Sequence, residues 1–116
     1  MRTYFARAAF AIALAPTLAI AHAELVKSDP SNGGTLAAGA KVITLTFDEA
    51  VQPATCKLTT AEGKDVASLG KPNADGMVIH VAIAKPLDGG RYSLACRVVG
   101  PDGHPINSTI SFTAAK

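Results

Sequence analysis

The chain has 116 residues, of which 48% are hydrophobic, and its 11 Lys and Arg residues nearly balance 9 Asp and Glu. Two of the basic residues, Arg2 and Arg7, precede all the acidic ones, so the rest of the chain is close to neutral. The scattered charges exclude the basic face of a nucleic-acid-binding protein, and the length predicts a single small domain.

The amino-terminal segment has the three parts of a secretory signal. Arg2 and Arg7 precede an apolar run at residues 8–14, and small residues follow it. The run is shorter than the roughly 20 apolar residues that cross a bilayer, which favours a removed signal over a membrane anchor. We therefore expect no direct membrane insertion of the mature domain.

Two overlapping triplets of small residues, 19–21 and 21–23, offer alternative cleavage sites. Cleavage after Ala21 leaves His22 as the new amino terminus, whereas cleavage after Ala23 starts the chain at Glu24. We assign residues 1–21 to the signal peptide and 22–116 to one domain of about 95 residues, near the size at which a single core suffices.

Seven short runs in which apolar and polar residues alternate follow the signal, as is typical of half-buried β-strands. No helical period occurs after residue 22, and segments rich in Gly, Pro, Asn and Asp separate the runs. The pattern predicts an all-β fold, a two-sheet sandwich of the immunoglobulin-like or Greek-key kind with about seven strands. The runs are 25–28, 41–47, 55–60, 66–69, 77–83, 91–99 and 109–113.

Two cysteines, Cys56 and Cys96, fall on the inward-facing positions of their predicted strands. In an exported chain they are expected to form a disulfide that joins the two sheets across the core. Two buried free thiols, acting as small hydrophobic groups, are the alternative. Met77 is also predicted to point into the core.

The chain contains three histidines, His22, His80 and His104. His80 alternates with apolar neighbours and is predicted to face water. His104 lies in the turn GPDGHP, two residues after Asp102, and Gly103 between them permits a tight bend. Loops on a rigid scaffold often carry binding groups, but a purely structural turn would look the same.

An amino-terminal His22 would change this interpretation, because its free α-amine and its imidazole Nδ1 can close a chelate ring on one metal ion. With a nitrogen of His104 and an oxygen of Asp102, the donor set becomes three nitrogens and one oxygen. Such a set favours Cu(II) over nickel, and zinc is less suited by geometry. A Cu(I) site is not expected, because Met77 is predicted to be buried and the cysteines oxidised.

Three blocks of the chain resemble the CopC family of periplasmic copper-binding proteins. They are HAELVKSDPSNGGTL from His22, ITLTFDEAV from Ile43 and GGRYSLACRVVGPDGHPINSTISF from Gly89. The resemblance implies a cupredoxin-like Greek-key β-sandwich in the periplasm that serves copper tolerance or uptake. It also implies Cu(II) ligation by His22, Asp102 and His104, and an inner-membrane copper transport protein as a partner.

The chain departs from the family pattern in three places. Cys96 stands where family members usually carry Trp, and we hypothesise that a disulfide to Cys56 replaces that ring as a core anchor. Ser108 stands where a Gly is common after the D-G-H-P segment. The Met-rich loop that gives some members a Cu(I) site is absent from the sequence.

Three functions of different class fit these observations. A periplasmic Cu(II)-binding protein that sequesters or delivers copper is favoured. A copper oxidase with a histidine brace would keep a coordination position open for oxygen, which Asp102 is expected to fill, so we expect no enzyme activity. A structural or protein-interaction sandwich would be favoured if the mature chain began at Glu24.

Overall fold

The computed structural model describes residues 23–116; the predicted signal peptide and His22 lie outside the described residues. Nine β-strands are present in this part of the chain, and no helix in it is long and apolar enough to cross a membrane. The strands are β1 (Leu25–Asp29), β2 (Gly34–Leu36), β3 (Val42–Phe47), β4 (Gln52–Thr60), β5 (Asp65–Val66), β6 (Asn73–Asp75), β7 (Val78–Ala82), β8 (Gly90–Val99) and β9 (Pro105–Ala114).

The strands form the two sheets of a β-sandwich, which confirms the predicted fold class. One sheet has the order β1-β3-β7-β6 and the other β2-β9-β8-β4-β5. Alternation along the strands directs one apolar face of each sheet inward, and these faces make a single core. The buried apolar residues are Ala23, Leu36, Ile43, Leu45, Phe47, Val51, Leu58, Ile79, Val81, Ile83, Tyr92, Leu94, Cys96, Val98, Ile110, Phe112 and Ala114.

Strand pairing brings the start of the domain to the same end of the sandwich as the D-G-H turn. β8 and β9 pair along their whole length, from Gly90↔Ala114 to Val99↔Pro105, so residues 100–104 form the turn between them. Leu25, at the start of β1, pairs with Phe47 at the end of β3, and Gln52, which begins the next strand β4, pairs with Val99 beside that turn.

Two strands, β2 and β6, were not predicted. Each has only three residues and lies in a segment rich in Gly and Asn, so neither contains enough alternation to be detected. β4 and β9 begin earlier than predicted because their first residues, Gln52 and Pro105, both pair with Val99 at the end of β8, and alternation along a single strand does not encode that pairing. The predicted run 66–69 is reduced to β5 and a single bridge, Leu69↔Ile83.

The cysteines form the expected disulfide, but its predicted placement between the two sheets was wrong. Cys56 and Cys96 are directly paired residues of neighbouring strands, β4 and β8, within one sheet. Both side chains face inward as predicted. Alternation predicts that a cysteine points into the core. It does not predict whether the partner cysteine lies on a neighbouring strand of the same sheet or on the facing sheet.

Met77 is 50% exposed, which contradicts the prediction that it lies in the core. β7 begins only at Val78, and the residue before Met77 is Gly76, whose φ of +63° turns the chain. Met77 therefore belongs to the turn, where the alternation of the strand no longer applies. Its main-chain oxygen accepts a hydrogen bond from Phe47 N at 2.8 Å.

Candidate metal site

The turn between β8 and β9 is held by two main-chain hydrogen bonds. Gly103 N donates to Gly100 O at 3.0 Å, and Gly100 N donates to His104 O at 3.4 Å. Gly103 adopts a φ of +80°, in the left-handed region that favours glycine. The backbone therefore fixes the positions from which Asp102 and His104 project.

The carboxylate of Asp102 is bonded to His104 twice. Oδ1 accepts a hydrogen bond from the His104 main-chain N at 3.0 Å, and Oδ2 lies 3.1 Å from the imidazole Nδ1. Because an ionised carboxylate can only accept, this contact requires the proton on Nδ1 and leaves the lone pair on Nε2. A metal-binding imidazole is commonly oriented by such a carboxylate.

The two side chains differ in exposure. The His104 side chain is 72% exposed, so Nε2 can be reached from solvent, whereas the Asp102 side chain is only 19% exposed although its backbone lies at the surface. The less exposed carboxylate of Asp102 thus orients the His104 ring through Nδ1, and Nε2 points toward solvent.

The first described residue, Ala23, lies against this turn and is fully buried. The next residue, Glu24, is anchored to Asp48 by two hydrogen bonds: Glu24 N donates to Asp48 Oδ1 at 2.7 Å, and Asp48 N donates to Glu24 O at 3.0 Å. These contacts fix the backbone of Ala23 and Glu24 beside the end of β3.

Gly100 is where the turn meets Ala23, which we call the chain start because it is the first described residue. A Cβ built on Gly100 would lie 3.5 Å from Ala23 N and 3.6 Å from Asp102 Oδ1, so these two atoms flank the same position. It would also contact the Ala23 Cβ at 3.4 Å, which leaves little room for a larger side chain. Ala23 N, the next main-chain nitrogen after His22, therefore lies no more than about 7 Å from Asp102 Oδ1.

The structure brings together two of the three residues predicted to bind metal, Asp102 and His104. The third, His22, lies outside the described residues. Within residues 23–116, no group of three His, Cys, Asp or Glu side chains is placed to hold a metal ion. The described domain thus contributes one imidazole and one carboxylate.

His80 takes no part in this turn. It lies in β7 on the face opposite to Ile79 and Val81, between Thr44 of β3 and Asn73 of β6, and it is half-buried. His80 was predicted to face water; it does lie on the outer face of its sheet, but neighbouring strands on both sides leave it only partly exposed.

Sequence reasoning missed two residues that shape this end of the sandwich, Gly100 and Asp48. Gly100 gives Ala23 space, and Asp48 anchors Glu24. In the sequence, a glycine next to Pro101 indicates only a turn. Asp48 follows the inward Phe47 at the end of β3, and only its pairing with the chain start reveals its role.

The family model for the CopC domain matches residues 25–115 of the chain. Among curated proteins, the chain is 38% identical over 112 residues to a copper resistance protein C of Xanthomonas campestris pv. juglandis, covering 89% of this chain and 87% of that protein. It is 32% identical over 120 residues to a copper resistance protein C of Pseudomonas syringae pv. tomato, covering 96% and 94%.

Among solved structures, PcoC of Escherichia coli, a methionine-rich copper resistance protein, superposes with a TM-score of 0.69 at 31% identity, covering 82% of this chain and all of that one. CopC of Methylosinus trichosporium OB3b gives a TM-score of 0.67 at 27% identity, covering 80% and 93%. The chain is therefore a small all-β protein of the copper resistance class. It belongs to the CopC family.

Proposed function

We propose that the mature protein is a periplasmic Cu(II)-binding protein that begins at His22 and sequesters or delivers copper in copper resistance. Copper is the cargo and is held by His22, Asp102 and His104. The partner implied by the family resemblance, an inner-membrane copper transport protein, is part of this proposal.

One observation carries the proposal: Ala23 N and Asp102 Oδ1 flank the same position beside Gly100. A residue spans at most about 3.6 Å of chain. If processing leaves His22 first, its α-amine and imidazole are therefore within reach of the Asp102–His104 pair. Cleavage after Ala21 is the processing step that this arrangement requires.

The donor chemistry supports Cu(II) as the cargo. The His104 Nε2 lone pair faces solvent, and an amino-terminal histidine adds an amine and a second imidazole nitrogen. Oδ2 of Asp102 lies on the Nδ1 side of the ring, across from Nε2, so ligation of one ion by both side chains requires the exposed His104 ring to turn and give up that contact. The hydrogen bond from the His104 main-chain N to Oδ1 can be kept during this change. Nitrogen and oxygen donors of this kind suit tetragonal Cu(II).

The same donor set supports binding rather than catalysis. With Asp102 beside His104, the four positions of a tetragonal site are filled by protein groups, and an oxygen-activating site needs one of them open. We therefore expect no copper-dependent oxidation of a polysaccharide in the presence of a reductant. Turnover that is lost in a His104→Ala variant would contradict this part of the proposal.

The decisive experiment compares three forms of the mature chain. The first begins at His22, the second carries His22→Ala and keeps the buried Ala23, and the third begins at Glu24. Cu(II) affinity is measured by competition with a copper chelator, and electron paramagnetic resonance reports the number of nitrogen donors.

We expect the tightest binding and the three-nitrogen spectrum only for the chain that begins at His22. The His22→Ala form keeps an α-amine and the same fold, so it isolates the lost imidazole. Equal affinity in all three forms would refute the site, and an intact mass that starts at Glu24 for the exported protein would refute the processing step. Absence of Cu(II) binding by the His22 form would favour a protein-interaction sandwich instead.

A further inference from the structure

The disulfide lies where the sheet itself holds both cysteines in place. Cys56 and Cys96 are directly opposite on β4 and β8, with their Cα atoms 4.0 Å apart. Pairing continues on both sides of them, through Thr55↔Arg97 and Lys57↔Ala95. The two sulfur-bearing side chains are thus kept on the same face by the strand ladder as well as by the covalent bond.

The two sulfur atoms differ in access. Cys96 is 1% exposed and belongs to the core, whereas Cys56 is half-buried. Cys56 also lines an open surface groove between β4 and β5, together with Asp65, Val66 and Leu69. An external thiol can therefore approach Cys56, and Cys96 is shielded.

We propose that the Cys56–Cys96 pair is reducible in the folded protein and that the reduced pair binds one Cu(I) ion between its two sulfur atoms. This site is distinct from the proposed Cu(II) site, because Cys96 is separated from the turn at Gly100 by about 13 Å of strand. The proposal therefore goes beyond the proposed function and does not depend on it.

The reduction step uses an external dithiol, the class of reductant found in disulfide-exchanging proteins. Its thiolate attacks the sulfur of Cys56, a mixed disulfide forms and the sulfur of Cys96 leaves. The second thiol of the reductant then releases Cys56, so the reductant becomes a disulfide. Two electrons pass to the pair, the two cysteines end as thiols, and bound Cu(I) later replaces their two protons.

The number and type of donors select Cu(I). Thiolates are soft ligands that favour Cu(I), which accepts two-coordinate geometry, whereas a structural zinc site needs four ligands. In residues 23–116, no third His, Cys, Asp or Glu side chain completes a group with the pair. Asp65, which shares the groove, is paired with Lys57 Nζ at 3.3 Å.

The test uses the full mature chain under anaerobic conditions, reduced with a phosphine that is then removed. Cu(I) is added with a chromogenic Cu(I) chelator as competitor, and far-ultraviolet circular dichroism is recorded on the same samples. We expect the reduced chain to retain its β-sheet spectrum and to bind one Cu(I) at least about 100-fold more tightly than the oxidised chain, because loss of both ligands exceeds the roughly 10-fold to 100-fold cost of losing a supporting group.

The variants Cys56→Ser and Cys96→Ser keep one thiol each, and we expect both to lose this Cu(I) binding while Cu(II) binding by the chain is unchanged. A thiol-alkylating reagent added to the reduced chain should modify Cys56 before Cys96. Equal Cu(I) affinity of reduced and oxidised chains, full affinity in either serine variant, or unfolding on reduction would each overturn the proposal. Failure of Cu(II) binding in the oxidised chain would instead count against the proposed function.

Discussion

Two turns of this protein share a main-chain hydrogen-bond pattern but have different surroundings. In the turn 60–64, Gly63 N donates to Thr60 O at 2.9 Å and Thr60 N donates to Lys64 O at 2.9 Å. The turn 100–104 repeats this pattern between the corresponding residues, and the fourth residue of each is a glycine with φ near +80°. The third residue of both turns is acidic.

What differs is the position of each turn in the sandwich. The 9-residue strand β4 separates the two ends, by roughly 26 Å at about 3.3 Å per residue. The turn 60–64 carries Glu62 and Lys64 and lies far from the chain start, whereas the turn 100–104 contacts Ala23. The turn conformation alone therefore does not make a metal site. Such a site also requires donor atoms that packing brings close to the turn.

The largest effect is expected from His104→Ala. We expect the Cu(II) affinity of the chain that begins at His22 to fall by at least about 100-fold, because loss of a ligand exceeds the roughly 10-fold to 100-fold cost of losing a supporting group. Thermal unfolding should be unchanged within about 0.5 kcal/mol, because the ring is exposed.

Lys64→Ala is the matched control for that variant, because Lys64 occupies the corresponding position of the other turn. Its copper affinity should equal that of the unmodified chain. An unchanged chelator competition for His104→Ala would remove His104 from the site.

Features that depend on neighbouring residues in the sequence could be predicted, whereas features that depend on contacts between distant segments could not. Alternation is a local property, and it correctly predicted the inward faces of β3, β7 and β8. The D-G-H motif is also local, and it located Asp102 and His104 in one turn. The placement of Met77 failed because alternation holds only inside a strand, and the strand begins one residue later.

Pairing and packing between distant segments could not be predicted. The inward positions of Cys56 and Cys96 were compatible with a bond between sheets or within one, and only the pairing of β4 with β8 decides between them. The contact of Ala23 with Gly100 likewise depends on how the sheet that contains β1 packs against the sheet that contains β8 and β9. No motif around either residue encodes that approach.

The next largest effect is expected from two glycine variants, which distinguish the cost of backbone strain from an effect on copper binding. Gly103→Ala and Gly63→Ala each place a side chain at positive φ, and nothing lies within 4 Å of either added Cβ. Both variants should therefore lose about 1 kcal/mol of folding stability through backbone strain alone. Only Gly103→Ala should also weaken Cu(II), by about 10-fold, because it displaces His104 from Asp102.

Chemical unfolding and copper competition on the two glycine variants provide the comparison. Equal stability losses with unequal copper affinities are expected. If both variants bound Cu(II) as tightly as the unmodified chain, the bonded Asp102–His104 geometry would not matter for binding.

A smaller effect concerns the end that carries the turn 60–64. Tyr92 pairs with Thr60, and its hydroxyl donates to Asp88 O at 2.7 Å. Burial, and then the negative charge of Asp88, raise the pKa of Tyr92 above its ordinary value of 10.0. The contribution of Tyr92 to folding stability is therefore fully present below about pH 10 and is lost as the pH rises through its raised pKa.

Tyr92→Phe removes this titration and costs about 1 kcal/mol at neutral pH through the lost hydrogen bond. Unfolding by denaturant, measured from neutral to alkaline pH, should show a shallower loss of stability for the variant in the alkaline range. Parallel curves for the two proteins would contradict the assignment, and copper affinity should be the same in both at neutral pH.

The smallest expected effect is the sharpest test of the comparison between the two turns. Glu62→Asp and Lys64→His, introduced together into the His104→Ala chain, recreate the D-G-H motif on the same backbone at the other end of the sandwich. Ala61 is kept, because its amide donates to Arg91 O at 3.1 Å and proline would remove that donor. We expect no recovery of Cu(II) affinity, because the transplanted pair has no amino-terminal histidine beside it. Recovery in the chelator competition would mean that the motif alone binds copper, and the approach of the chain start to residues 100–104 would then have no role in the site.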